Sequence, residues 1–544
     1  MTSDDHADSQ VSLEEIPSNS IVEPPTSIVG IMKCLGPGLI IAGSIVGSGE
    51  LIATTKTGAQ AGISLLWLIV IGCVIKVFVQ VELGRYTITH GETTLEALDK
   101  VPGPRARANW IVWFWLIMTL VSLGQLGGIV GGVGQAAAIS FPFTGDYRNA
   151  IKVPTQSEVK TFLMWKDDRE NSSQRLDKLS QEKREIVLRA QKTIAKQLDD
   201  LEPEIREDVL DHARRDEPRP DPRTWDDKIW ASIIAVFTAL LLYFGRYNLI
   251  QSVSIGLVVG FTFITVGNVV ALQLTDEWHI PFDELKKGLF FSLPEGGGKK
   301  DAIFTALAAF GIIGVGAAEL IAYPYWCLEK GYAKFTGPRT DDPAWAKRAN
   351  GWMRVMRYDA FTAMVIYTVA TIAFFLMGVA VLHREGLDPD GMRMVSTLAT
   401  AYVPVFGEYA RWLFLIGAIA VLYSTYMVAN AGYARMYADG LRVFGILKNS
   451  TEESRQQWVA RFSFVLPLIC LAVFLTGANP VVLILASGIT QSTMLPFIGL
   501  SALYFRYQRT DRRLSPGLIW DTLLILSAIG LLISGSWGIV KQVL

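Results

Sequence analysis

The sequence predicts an all-α integral membrane protein with eleven transmembrane helices. Hydrophobic residues make up 51% of its 544 residues, and the mean hydropathy of +0.32 argues against a soluble enzyme. About 20 consecutive apolar residues form a helix long enough to cross a bilayer. Eleven such runs, named span one to span eleven, cover residues 35–56, 62–83, 109–140, 228–245, 250–273, 303–327, 359–382, 411–433, 459–477, 480–504 and 517–540.

Hydrophilic segments divide this pattern into regions. The acidic N-terminal segment lacks the basic and apolar parts of a signal peptide, so we expect a disordered cytoplasmic tail. The predicted order is the tail at 1–25, spans one to three within 26–142, a hydrophilic helical insertion at 143–226, spans four and five within 227–275, a second repeat with spans six to ten within 276–505, and a loop with span eleven within 506–544.

The positions of Lys and Arg in short loops predict the orientation in the membrane. With the N-terminus in the cytoplasm, the inner loops are rich in both residues, whereas the outer loop around 384–409 contains only Arg384 and Arg393. The outer loop 274–302 disagrees, because it contains four lysines. The balance predicts a multi-pass protein of the cell membrane with a cytoplasmic N-terminus.

The insertion is charged and has the apolar spacing of amphipathic helices. Pro203 interrupts the pattern, which favours a helical hairpin. The apolar positions at three- and four-residue steps are Leu176, Leu179, Ile186, Val187, Ile194, Leu198 and Leu201. Such a hairpin is typical of a solvated insertion, and docking of a protein partner is the alternative.

Spans one and six each contain a run of small residues that ends in a glutamate. The first runs from Gly43 to Glu50, and the second from Gly314 to Glu319. Glycine weakens a helix and lets backbone carbonyls face a ligand. An ionised carboxylate near the bilayer centre costs roughly several kcal/mol unless it is paired, hydrated or bound to a cation. Close helix packing explains the glycines but not the glutamates, so we predict a cation site at two broken helices.

The two breaks also suggest an internal repeat. They lie five spans apart, and because five is odd, the second unit enters the membrane in the opposite orientation. This is the arrangement of inverted-repeat transporters.

The run from Gly36 to Gln80 resembles the first two helices of the Nramp family of divalent-metal transporters. The residues that carry the resemblance are Gly36-Pro37, Gly58-Ala59, Gly62, Leu65-Leu66-Trp67 and Gln80, with Tyr423 to Met436 in span eight and Leu495-Pro496-Phe497 in span ten. The resemblance implies two inverted five-helix repeats of LeuT type plus one extra helix. It also implies a secondary transporter that works by alternating access.

The departures from the family fall on its metal-binding motifs. The family's Asp-Pro-Gly-Asn corresponds to residues 47–50, and its Met-Pro-His-Asn to residues 316–319. The soft methionine ligand is absent, and carboxylate and carbonyl oxygens suit Mg²⁺, Ca²⁺ or Mn²⁺. The family's second span-six histidine corresponds to Tyr323, and its span-three acidic residues to Ser122 and Gln125. The departures weaken the expectation of proton coupling by the family's usual route.

The expected metal ligands are therefore Glu50 and Glu319. The expected substrate-binding residues are Gly47, Gly49, Glu50, Gly316, Glu319 and Gln491. Two carboxylates at one site repel unless a divalent cation or a shared proton lies between them. Lys76 and Tyr323 are candidates for coupling or gating. Lys76 either snorkels to the inner interface or acts as counter-ion to a site carboxylate.

Other function classes have less support. We find no nucleophile triad, phosphate loop or cofactor fingerprint, so the chain is not expected to be an enzyme or to hold a cofactor. A net charge of −1 and the absence of a basic stripe argue against a nucleic-acid partner. The four cysteines have no metal-ligand spacing and are expected to be packed thiols. The alternatives are transport of an organic cation or an amino acid, and a non-transporting membrane sensor or scaffold.

Overall fold

The structure is a computed structural model that describes residues 21–167, 181–215, 222–245, 247–294, 299–447 and 451–543. Its described regular structure is helical except for two paired strands of two residues each, Arg105–Ala106 and Ala108–Asn109. The predicted all-α class is confirmed.

The described helices match the predicted spans in number. Ten of them are long and apolar enough to cross a membrane, and a pair bent by 57° before the first break makes eleven. Span one comprises Ile28–Cys34, Pro37–Ile45, Ser48–Thr54 (a π-helix) and Thr55–Ala61, and span two comprises Leu66–Val74 and Lys76–His90. Spans three, four and five are Trp110–Ser140, Asp226–Phe244 and Tyr247–Leu272; span six comprises Lys299–Ile312 and Ala317–Lys330, and span seven comprises Pro343–Met377 and Gly378–His383 (a π-helix). Spans eight and nine are Glu408–Val443 and Glu452–Leu475, span ten comprises Pro480–Tyr504 and Phe505–Arg509 (a π-helix), and span eleven is Leu518–Val543.

Short helices connect the spans. Spans one and two are joined by a tight 3-10 turn, which starts at Gly62 with a positive φ of 59°. The connecting helices and turns are Gly62–Leu65, Thr94–Asp99, Phe282–Leu289, Tyr332–Thr336, Gly391–Arg393, Met394–Thr400, Val403–Phe406 and Arg512–Leu514. Span three lies at the centre of the scaffold, in contact with spans four, eight, nine and ten.

The insertion contains more helices than the predicted hairpin. Its described helices are Asp146–Ala150, Gln156–Asp167, Gln181–Asp199 and Pro203–Arg215. The last three of these helices share a small apolar core of Val159, Phe162, Leu163, Ile194, Leu198, Val209 and Ala213. The predicted apolar positions Leu176 and Leu179 lie outside the described residues. The hairpin prediction omitted the helix Gln156–Asp167, which supplies three of these seven core residues.

The insertion is attached to the membrane helices at its ends and along one side. Asp226, the first residue of span four, accepts hydrogen bonds from the backbone N–H groups of Thr144 and Gly145 at 2.9 and 2.8 Å. Glu158 forms an ion pair with Arg393 in the loop before span eight. The contacts hold the insertion against the end of the bundle that the charge pattern predicts to be outside.

Two predictions about the ends and the thiols can be compared with the structure. All four cysteines are free, and three of them are buried, as expected for packed thiols. Residues 21–25, predicted to belong to a disordered tail, are bound to the protein. Val22 donates to the Phe335 carbonyl at 3.1 Å and accepts from the Trp352 indole at 2.8 Å. Residues 1–20 lie outside the described residues.

Candidate cation site at two helix breaks

Span one breaks just before Glu50. The helix Pro37–Ile45 ends, and helical structure resumes at Ser48 with Glu50 in the first turn. Gly47 packs so closely on span eight that a Cβ atom there would overlap the Thr425 hydroxyl. The break therefore requires glycine at position 47 because of the neighbouring Thr425, and it places Glu50 at the positive end of a helical segment.

Glu50 is fully buried and reaches across to the break in span six. Its Oε1 accepts a hydrogen bond from the Gly314 backbone N–H at 3.2 Å, and the Thr371 hydroxyl lies 3.3 Å away. Within the described part of the chain, its Oε2 has no hydrogen-bond partner. A buried carboxylate oxygen without a partner is costly unless a ligand binds it.

Span six breaks over four residues between its two helical halves. The first half ends at Ile312 and the second begins at Ala317. Gly314 has a φ of 57°, and a Cβ atom there would lie 2.8 Å from the Cys73 Cα in span two. Both the positive φ and the close backbone contact require glycine at this position.

Glu319 lies in the first turn of the second half and faces back towards span one. Its Oε1 is 3.5 Å from the Ser44 hydroxyl, which is a weak hydrogen bond. Its Oε2 is buried and has no hydrogen-bond partner among the described residues. The Cβ position of Gly316 contacts this Oε2 and lies 2.8 Å from Gln491 Oε1 and 3.2 Å from the Gly311 carbonyl oxygen. Three oxygen atoms thus converge beside Gly316.

Gln491 is held by a polar cluster between spans three and ten. Its Oε1 accepts from the Ala318 N–H at 3.2 Å, and its amide nitrogen donates to Gln125 Oε1 at 3.1 Å. Ser487 donates to the same Gln125 oxygen at 2.7 Å and lies 3.0 Å from Ser122. The cluster directs the Gln491 carbonyl oxygen towards Glu319. Ser122 and Gln125, which correspond to the family's span-three acidic residues, therefore belong to the cluster that positions the Gln491 amide.

A small cavity lies beside Glu319, between spans one, six and eight. Its volume is about 10 Å³, and Ser44, Glu319, Trp326 and Tyr433 are among its lining residues. A water molecule needs about 10–15 Å³ by the same measure. The space therefore accommodates one water-sized particle.

The two glutamates can supply a hard cation with oxygen ligands. Each reaches towards the opposite break and keeps one oxygen unpartnered. In the described residues, no group of three or more His, Cys, Asp or Glu side chains could hold a metal ion. A metal here would therefore be held by two carboxylates with amide and backbone oxygens, a donor set that suits Mg²⁺, Mn²⁺ or Ca²⁺.

The two candidates for coupling or gating lie in different places. Lys76 is fully buried, and its ammonium donates to the carbonyls of Phe310 and Ile313 at 2.5 and 2.8 Å. It neither extends towards solvent nor pairs directly with a site carboxylate. Tyr323 donates to Asp359 Oδ2 at 3.2 Å and has no hydrogen bond to either glutamate.

Sequence reasoning missed several residues around the site. Asp359 accepts from the backbone N–H groups of Gly36 and Gly38 at 2.8 and 2.5 Å, so it holds the start of the helix before the first break. The missed signal is an aspartate at the start of apolar span seven. Thr371 and Ser44 carried no signal, because hydroxyls in such helices usually bond to their own backbone.

Below the cavity, an ion pair joins spans six and eight. Arg435 donates to Glu329 through Nε at 2.5 Å and Nη2 at 2.9 Å. Its guanidinium also lies 4.4 Å from the centre of the Trp326 ring. Because Trp326 lines the cavity, this pair lies next to the cavity, on the side predicted to face the cytoplasm.

A second polar cluster lies on the same two spans and the helix after span two. Asp439 is buried in span eight and accepts hydrogen bonds from the Tyr325 hydroxyl at 2.8 Å and from the Thr93 hydroxyl. Arg442 lies 3.2 Å from Glu96 in the loop after span two. Burial, together with the nearby Asp439 carboxylate, raises the pKa of Glu96 above its ordinary value.

Comparison with known proteins assigns the chain to a family. Residues 224–539 match the family model described as natural resistance-associated macrophage protein-like, Nramp. The match covers more than half of the chain, and the protein belongs to the Nramp family. A comparison with curated protein sequences found no match.

Solved structures agree in fold. A histidine-to-alanine mutant of the Eremococcus coleocola manganese transporter matches with a TM-score of 0.59 and 16% identity, over 98% of this chain and 91% of that chain. The same transporter bound to an aromatic bis-isothiourea compound matches with a TM-score of 0.58 and 16% identity, over 97% and 92%. The chain is a multi-pass membrane protein with the LeuT-type fold that the resemblance implied.

Proposed function

We propose that this protein carries a divalent cation across the membrane by alternating access. The cation binds between the two breaks, with Glu50 and Glu319 as charged ligands and Gln491 as a neutral one. The backbone around Gly47, Gly49 and Gly316 leaves room for close approach. The main support is one buried carboxylate oxygen without a partner from each break, because a bound cation would supply such an oxygen with the partner it lacks.

Family membership supports this class of substrate, since the manganese transporter of Eremococcus coleocola has the same fold. The size of the space favours an ion over an organic solute. Pockets for small organic ligands measure roughly 300–1,000 Å³, whereas the cavity beside Glu319 is about 10 Å³. An amino acid would also bring its own carboxylate to helix ends that already carry glutamates.

Calorimetry on the purified protein tests the site. We expect Mn²⁺ affinity to fall by roughly 100-fold in Glu50→Gln and in Glu319→Gln, because each loses a charged ligand, about 3 kcal/mol. Glu385→Gln, in the loop after span seven, is the matched control and should bind as the wild type does. Unchanged affinity in both site variants would contradict the assignment.

Uptake into proteoliposomes tests the function. We expect Mn²⁺, Mg²⁺, Ca²⁺ or Fe²⁺ to enter liposomes that contain the protein, and an internal pH dye reports whether protons accompany the ion. Absence of uptake of all four ions would support a sensor or scaffold instead. Uptake that persists after deletion of residues 143–226 would make the insertion an accessory element and not part of the pathway.

A further inference from the structure

One peptide unit connects Lys76 to Glu50. The carbonyl oxygen of Ile313 accepts from the Lys76 ammonium at 2.8 Å, and the N–H of Gly314 donates to Glu50 Oε1 at 3.2 Å. These two groups belong to the same planar peptide, in which C=O and N–H point in opposite directions. The ammonium and the carboxylate thus lie on opposite sides of the peptide that they orient.

Lys76 also occupies the end of a half-helix. Its second acceptor is the Phe310 carbonyl at 2.5 Å, and its ammonium lies 4.7 Å from the centre of the Phe310 ring. The Phe310 carbonyl belongs to the last turn of the first half of span six, and Ile313 directly follows its end. Unpaired carbonyls and the helix dipole attract a cation at such an end. In broken-helix transporters such ends coordinate ions. Here a side chain of the protein takes that position.

Span two is shaped to receive the break. The Cβ position of Gly72 lies 3.0 Å from the Phe310 ring, and that of Gly314 lies 2.8 Å from the Cys73 Cα. Gly72 and Lys76 are four residues apart and share one face of the span. The break and the Lys76 face are therefore one packed unit.

We propose that Lys76 is a positioning residue for cation binding. It orients the 313–314 peptide so that the Gly314 N–H holds Glu50 Oε1 and leaves Oε2 free for the substrate. Its ammonium also occupies the cation position at the end of the first half of span six. The substrate cation therefore depends on the two carboxylates for its charged ligands. This inference rests on the proposed function and names a residue that regulates the same site.

Calorimetry with Mn²⁺ tests the positioning role. Lys76→Met keeps the length of the side chain but removes the donors, and we expect Mn²⁺ affinity to fall at least tenfold. Lys56→Met is the matched control, because Lys56 is also buried and donates to Asp388 and Pro389 at 2.6 and 2.9 Å, in the second half of span one. It should change affinity less than threefold. Unchanged or tighter binding in Lys76→Met overturns the proposal. If Lys76 acted only by repelling the cation, removing its charge would tighten binding.

Thermal unfolding without metal gives a second readout. We expect the Tm decrease of the double variant Glu50→Gln with Lys76→Met to be smaller than the sum of the two single decreases, because both variants weaken one shared bridge. Glu50→Gln removes its negative charge, and Lys76→Met removes its donors. Additive decreases overturn the proposal. This cycle decides the role of Lys76 even if the wild-type protein binds no divalent cation, a result that would refute only the proposed function.

Discussion

The two breaks follow the same sequence recipe but are built differently. In span one, Gly47 is required by the Thr425 side chain, whereas in span six Gly314 is required by its own φ of 57° and by the backbone at Cys73. The two glutamates also differ in how closely their neighbours hold them. Glu50 has donors at 3.2 and 3.3 Å, but Glu319 has one at 3.5 Å and lies beside a cavity.

The difference suggests a division of roles. The break in span six has a fixed backbone, so it can serve as the reference against which Glu50 is placed. Glu319 is held by fewer hydrogen bonds and borders the small cavity described above. We therefore expect Glu319 to contact an ion that arrives from or leaves towards the side where Arg435 and Glu329 form their ion pair.

The largest expected effect separates the two glycines. Gly314→Ala should lower the free energy of unfolding by roughly 2–5 kcal/mol, because a positive φ and a backbone clash both oppose it. Gly47→Ala should also destabilise, but Thr425→Gly should restore part of the loss. Thermal unfolding in detergent measures both, with Thr425→Gly alone as the control for the added helix glycine. Equal losses without any rescue would remove the distinction between the breaks.

A smaller effect on stability, with a large effect on binding, is expected at Gly316. Its φ of −68° suits alanine, but a Cβ atom would enter the space between Glu319 Oε2 and Gln491 Oε1. Gly316→Ala should weaken Mn²⁺ binding at least tenfold. Gly499→Ala in span ten is the control, because its Cβ would make ordinary contacts at 3.4 to 3.6 Å. Wild-type affinity in Gly316→Ala would move the site away from this point.

The smallest effects compare the hydroxyls beside the glutamates. Thr371→Val removes a hydroxyl 3.3 Å from Glu50, and Ser44→Ala removes one 3.5 Å from Glu319. A full hydrogen bond contributes about 1 kcal/mol, but the single Thr371 hydroxyl proton also has the Tyr367 carbonyl as an acceptor at 2.6 Å. We therefore expect at most a fivefold loss of Mn²⁺ affinity for Thr371→Val. Ser44→Ala should change it less than twofold. A reversed order, measured by calorimetry, would make Glu319 the more restrained carboxylate.

The helices and both breaks could be predicted from the sequence because their signals are local. Apolar runs specify the spans, and small residues followed by Glu50 or Glu319 specify the breaks. The partners could not be predicted in this way. Gly314 and Ile313 meet Glu50 and Lys76 through backbone atoms more than 200 residues away in the chain, and a backbone group carries no sequence signal of its own.

Two other features that the sequence did not predict have the same origin. The apolar spacing in the insertion predicted helices correctly, but which helices pack together depends on contacts between distant segments. Coupling or gating by Tyr323 stays a prediction from its aligned position, and the hydrogen bond of its hydroxyl to Asp359 could not be predicted from that position. Assigning a role from position requires knowing what the side chain touches, and one sequence does not record that.

The small cavity beside Glu319 also bears on the hydration of the ion. A space of about 10 Å³ leaves room for roughly one water molecule. If the proposed cation is enclosed here in this conformation, it would leave almost its whole water shell behind. Mg²⁺ gives up its shell reluctantly and usually keeps several waters. Dehydration alone would therefore rank Mg²⁺ below Mn²⁺ and Ca²⁺ in rate of passage, even where their affinities are equal.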